Sequence, residues 1–203
     1  MLINIEGIDG SGKSTIAKML CKYLNENKLK FGDELTPWIL EREPNFDSQT
    51  ADALNFVKGN SWQREFYFMK DRMQHQEKLR TNDVVLDRYI WTGLAYASVF
   101  SPEVLDMCVS FYSLSSEFIK PDIIFYMDVN PNDAIKINES RKGTPEYSEK
   151  LKLQNLISLK EAFEDTKKFI REWEIPFLIV ESKFGQLDES LDTIIKFLNG
   201  YMT

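Results

Sequence analysis

Residues 7 to 15, GIDGSGKST, match the spacing G-x-x-x-x-G-K-[ST] at every fixed position and follow the apolar Leu2, Ile3 and Ile5, which read as a short strand. These residue types in this order suit a nucleoside triphosphate. Gly7, Gly10, Ser11 and Gly12 let backbone N–H groups turn inward on a phosphate, and Lys13 reaches the β and γ oxygens as a point charge. The hydroxyl of Ser14 can ligate Mg²⁺, and Thr15 completes the loop. The helix that Lys13 opens adds the positive end of its dipole.

Such side chains need a scaffold, and strands alternate with helices along the chain. Trp38-Ile39-Leu40, Val84-Val85-Leu86, Ile123 to Met127 and Phe177 to Val180 are short, unalternated apolar runs, the pattern of strands buried on both faces. Helix-length segments lie between them: Lys13 to Glu26, Trp62 to Arg80, Pro102 to Ile119, Pro131 to Ser140, Pro145 to Trp173 and Leu187 to Leu198. Ser101-Pro102, Asn130-Pro131 and Thr144-Pro145 pair a capping residue with a first-turn proline, and Gly200 is placed to end the last helix. The predicted fold is α/β of the P-loop NTPase type: a doubly wound, five-stranded parallel sheet with helices on both faces, in one domain spanning 1–203.

Ligands of such sheets sit at the carboxyl ends of the strands. There the sequence puts Glu41-Arg42-Glu43-Pro44, Asp87-Arg88-Tyr89 and Asp128-Val129-Asn130-Pro131. Two arginines at separate strand ends suit a second phosphate, because a planar guanidinium fork holds an anion that Lys13 does not already hold. For Arg42 an exposed ion pair with Glu41 or Glu43 is the structural alternative. A triphosphate site beside a monophosphate site implies a kinase.

Taken together, the loop with Asp9, the Arg42-Glu43-Pro44 tripeptide, the helix carrying Phe68 and Arg72, the run DRYIWTGLAYA at 87 to 97 and PDIIFYMDVNP at 121 to 131 resemble the thymidylate kinase family. The resemblance implies that Arg42 and Arg88 clamp the acceptor phosphate, that Phe68 stacks on thymine and that Arg72 reaches the base edge. It implies further that Asp9 holds the deoxyribose 3′-hydroxyl, that Tyr96 walls the sugar and that Asp87 acts with Ser14 on Mg²⁺. Thr92 lies near the base, where it bears on tolerance of deoxyuridine monophosphate. Family members supply a transition-state cation from the phosphate loop or from a lid. Gly10 stands at the loop position, so the cation is expected in the polar segment 139–150, with Arg141 as candidate and Tyr147 as the lid tyrosine beside the base. Ile137 stands where an arginine is usual, and Asn45-Phe46 replaces the usual glycines after Glu43-Pro44. The resemblance also implies a homodimer, ATP as donor and Mg²⁺ as cofactor.

Composition bounds the alternatives. The 203 residues carry a net charge of −7, which disfavours a general nucleic-acid surface, and no apolar stretch is long enough for a bilayer span. The start MLINIEG lacks the pattern of a secretory leader, which places the expected location in the cytoplasm. Cys21 and Cys108 have neither disulfide nor metal spacing, and His75 is expected in a surface or helix-packing role rather than in catalysis. Phosphorylation of a neutral acceptor such as a deoxynucleoside, with Glu43 or Asp9 as base, is the second reading. A GTPase-like module is disfavoured because no N-K-x-D run follows a strand.

Overall fold

The computed structural model describes residues 1–27, 36–45, 61–116, 118–139 and 152–201. Five strands, β1 (Leu2–Glu6), β2 (Ile39–Arg42), β3 (Val84–Asp87), β4 (Ile123–Val129) and β5 (Phe177–Ser182), form one parallel sheet in the order β2-β3-β1-β4-β5. The described helices are α1 (Lys13–Glu26), α2 (Ser61–Thr81), α3 (Ile90–Phe100), α4 (Pro102–Leu114), α5 (Pro131–Glu139), α6 (Leu153–Glu172) and α7 (Leu187–Tyr201).

Strand alternation divides the core in two. Ile3 and Ile5 join Val85, Ile123, Phe125 and Met127 under α1 and α7, while Leu2, Val84, Leu86, Ile124 and Tyr126 face α3, α4 and α6. Two polar residues of the central strand share the second face: Asn4, which donates to the Leu86 carbonyl at 3.2 Å, and Glu6, both fully buried. Glu6 is thereby aimed at the start of α3.

Several boundaries depart from the sequence expectation. The outer strands β2 and β5 are not buried on both faces, and Leu40 and Ile179 lie exposed, as edge strands of an open sheet permit. Helix α3 is absent from the expected list. It is apolar nearly all round, with Ile90 through Ala95 buried, so it shows no helical stripe. Its Trp91 is 1% exposed, packs on Tyr126, Phe163 and Phe177, and donates to the Phe163 carbonyl at 3.2 Å. Helix α4 stops at Leu114 rather than Ile119. Ser115 turns extended, Phe118 folds back onto Phe111 and Tyr112, and the Ile119 N–H donates to Gln76 Oε1 at 2.8 Å.

Helix α6 begins at Leu153, behind an extended Lys152, and the expected start at Pro145 lies outside the described residues. Helix α7 runs through Gly200 to Tyr201, so that glycine does not end it. Of the expected proline caps, Ser101 Oγ accepts from the Val104 N–H at 3.2 Å and Asn130 Oδ1 from the Asn132 N–H at 2.9 Å. Thr144-Pro145 lies outside the described residues. Both cysteines are buried and free, and no described helix is long and apolar enough to cross a membrane.

Candidate active site

The glycine loop leaves β1 with backbone that only glycine holds easily. Gly7 has φ 146°, and a Cβ there would fall 2.8 Å from the Met127 carbonyl; Gly12, at φ 82°, stands at the N-cap of α1 with Leu187 against it. No side chain caps that helix end. Lys13 is buried, and its Nζ donates to the Ile8 carbonyl at 2.9 Å. Burial, reinforced by the neighbouring Arg88 charge, pulls the Lys13 ammonium down to about 7 despite Asp9, Asp87 and Glu6 nearby.

Beside the loop opens a cleft of about 680 Å³. Every acceptor-side residue expected within the described chain lines it: Asp9, Arg42, Phe68, Arg72, Arg88, Thr92 and Tyr96. Asp9 is the hub. One carboxylate oxygen pairs with Arg88 Nη2 and lies 3.8 Å from Lys13 Nζ, and the other accepts from the Tyr96 hydroxyl at 3.0 Å. Burial alone would raise this carboxyl, but Arg88 and Lys13 outweigh it and hold it well below the usual carboxylate range. The Tyr96 phenol is pushed above its usual value by burial and the Asp9 charge, so it remains a donor.

Arg88 adopts φ 73°, a strained left-handed backbone for an arginine. Its N–H donates to the Ile5 carbonyl at 3.0 Å, and the next residue is anchored by Glu6. That carboxylate accepts from the Tyr89 N–H at 2.9 Å, the Thr92 N–H at 3.3 Å and the Thr92 hydroxyl. It caps the start of α3 from the central strand and fixes the turn from which Arg88 projects. The Thr92 hydroxyl is thus committed to Glu6, although the residue lines the cleft.

Arg42 is exposed at the tip of β2, and its Nε lies 3.7 Å from Asp87 Oδ2. The alternative pairing with Glu41 or Glu43 does not form: Glu41 takes Lys78, and Glu43 takes Arg72. Arg72 is buried, donating from Nε to Glu43 Oε2 at 2.8 Å and from Nη1 to the Tyr112 hydroxyl at 2.5 Å. Burial pushes Glu43 up to about 8 against the opposing pull of Arg72. His75 sits 4.0 Å from Asp71 on α2, a packing position outside the cleft lining. The lid candidates Arg141 and Tyr147 fall outside the described residues.

The cleft also includes Glu65, Arg64, Phe100 and, from α6, Asn155 and Ser158. Nothing in the sequence pattern singles out Glu65 or Tyr112, and Glu6 was missed. The available signal for Glu6 is an acid inside an apolar strand, where burial of a charged side chain is rare.

Glycines at the end of a central parallel strand, with a second cationic cleft alongside, define a P-loop nucleotide kinase. A family model described as thymidylate kinase matches residues 5–183, and the chain belongs to that family. A probable thymidylate kinase of Methanococcus maripaludis strain C7 is 28% identical over 207 residues, covering 95% of this chain and 92% of that one. A crystal structure of thymidylate kinase from Ehrlichia chaffeensis is similar with a TM-score of 0.63 at 21% identity, covering 98% of both chains. A deoxyadenosine kinase from M. mycoides reaches a TM-score of 0.71 at 18% identity, covering 98% of this chain and 100% of that one. These two structural likenesses concern the fold.

Proposed function

We propose that this chain transfers the γ-phosphoryl group of ATP to thymidine 5′-monophosphate, giving thymidine 5′-diphosphate and ADP. The observation that carries this is the Arg88–Asp9–Lys13 chain, which joins a cationic acceptor cleft to the triphosphate loop. An acceptor phosphate oxygen is already anionic, so the transfer rests on placement and charge neutralisation rather than on a base. Arg88 and Arg42 bind the acceptor phosphate, Phe68 and Arg72 take the base, and Asp9 with Tyr96 takes the sugar. When the acceptor arrives, Arg88 exchanges part of its contact with Asp9 for phosphate oxygens. Lys13 exchanges the Ile8 carbonyl for the donor's oxygens. Arg141 is the proposed lid cation, on the sequence grounds given above.

Magnesium fits the oxygens at hand. Asp87 is 2% exposed, and its Oδ1 has no hydrogen-bond partner. With the Ser14 hydroxyl it offers the hard donors that Mg²⁺ shares with phosphates and water. When bound, the ion would supply neutralisation of the charge on the donor's phosphates.

A homodimer is the proposed assembly. Trp62 and Phe66, one turn apart on α2, are 46% and 61% exposed, and with Tyr67 and Met107 they line an apolar groove of about 430 Å³. A second copy of this chain is the proposed occupant. Chemistry on free nucleotides accords with the cytoplasmic location expected from the sequence.

The test is purified protein with ATP, Mg²⁺ and a panel of nucleoside monophosphates, with products identified by mass. Thymidine diphosphate should form; absence of any diphosphate from thymidine or deoxyuridine monophosphate refutes the proposal.

A further inference from the structure

Helix α2 turns Glu65, Phe68 and Arg72 toward the cleft, a spacing of three and then four that keeps them on one helix face. The proposed function uses the last two and leaves Glu65 without a task. It is 2% exposed, and its Oε2 is buried with no hydrogen-bond partner. A carboxyl withdrawn from water and left unpaired is destabilising, unless a ligand supplies the partner. The nearest cations do not: Arg72 is committed through Nε to Glu43 and through Nη1 to Tyr112, and Arg64 lies over the Phe100 ring.

Resting on the proposed function, we propose that Glu65 reads the pairing edge of the acceptor's base, and that the site therefore takes a 4-amino pyrimidine, as deoxycytidine monophosphate, as well as thymidine monophosphate. A protonated carboxyl carries an O–H donor beside a C=O acceptor. That pair matches N3–H with a flanking carbonyl on thymine. It equally matches N3 with the 4-amino group on cytosine. Burial, opposed by Arg72 and Arg64, pushes Glu65 up to about 7, which keeps the protonated form available near neutrality. Arg72 keeps Nη2 beyond its bonds to Glu43 and Tyr112 and donates to a carbonyl of the base, so Glu65 is the group left to face N3 and the C4 substituent of a base stacked on Phe68.

Steady-state kinetics with thymidine, deoxyuridine and deoxycytidine monophosphates decides the matter. The wild-type kcat/KM for deoxycytidine monophosphate should lie within about tenfold of that for thymidine monophosphate. Glu65→Leu should raise the deoxycytidine monophosphate KM by about tenfold or more while leaving the ATP KM unchanged, consistent with loss of a bidentate contact. Glu65→Gln, which keeps a donor and an acceptor, should lose less. A thermal melt separates these effects from unfolding, since removing an unpaired buried carboxyl should not lower Tm. Wild-type discrimination of more than about a hundredfold against deoxycytidine monophosphate overturns the inference. So does a Glu65→Leu variant that matches wild type on every acceptor. In both results thymidine monophosphate is still turned over; no turnover of any monophosphate removes the proposed function and this inference together.

Discussion

Gly93 lies against the guanidinium of Arg72: a Cβ at position 93 would sit 2.8 Å from Nη1 and 3.1 Å from Cζ. The arginine has little room to retreat, being held by Glu43 and Tyr112. Gly93→Ala should therefore tilt Arg72 out of the cleft wall. The expected result is an acceptor KM raised on the order of tenfold with the ATP KM unchanged, and a stability loss of about 1 to 3 kcal/mol from overpacking, read by kinetics and denaturant melts.

Lys13 predicts proton uptake on donor binding. Free of ligand, its ammonium is pulled down to about 7 from 10.5. Triphosphate oxygens favour the charged form and should restore it upward. Titrating ATP near pH 8 in buffers of different ionisation enthalpy should reveal uptake approaching about one proton, and Lys13→Met should abolish it.

Glu43 predicts a pH dependence of stability. Its folded value of about 8 exceeds the unfolded 4.5, so the folded chain holds the extra proton between them. The contribution is present in full below about 4.5 and is lost as pH rises through about 8. The Tm difference between wild type and Glu43→Gln should shift against wild type across that window by on the order of 10 °C, measured calorimetrically at several pH values.

Self-association is the fourth expectation. Trp62→Asp with Phe66→Asp places two charges on exposed apolar positions of α2, away from the cleft lining. Sedimentation should show a dimer for wild type and a monomer for the double variant.

Legibility in the sequence followed the range of the physics involved. The glycine loop and the bounds of α1, Lys13–Glu26, could be read directly because local backbone geometry dictates them. A five-stranded parallel sheet followed from alternation of elements, whereas its order, β2-β3-β1-β4-β5, was not read from the sequence. Helix α3 was hidden because burial on all sides erases periodicity, and the end of α4 was hidden because Phe118 is drawn back by tertiary packing. The expected cleft residues that lie within the described chain come together, but the contacts that hold them were not legible. Glu6 reaches across 83 residues to Tyr89 and 86 to Thr92, and Tyr112 reaches 40 back to Arg72, distances over which spacing carries no signal.

The most direct test is calorimetric titration of thymidine monophosphate into wild type and Arg88→Ala. Wild type should bind it, and the variant should lose affinity by about a hundredfold or more while binding ATP within a few-fold of wild type, because a charge-assisted phosphate fork is lost. Equal binding of thymidine monophosphate by both proteins would contradict an acceptor site built on Arg88.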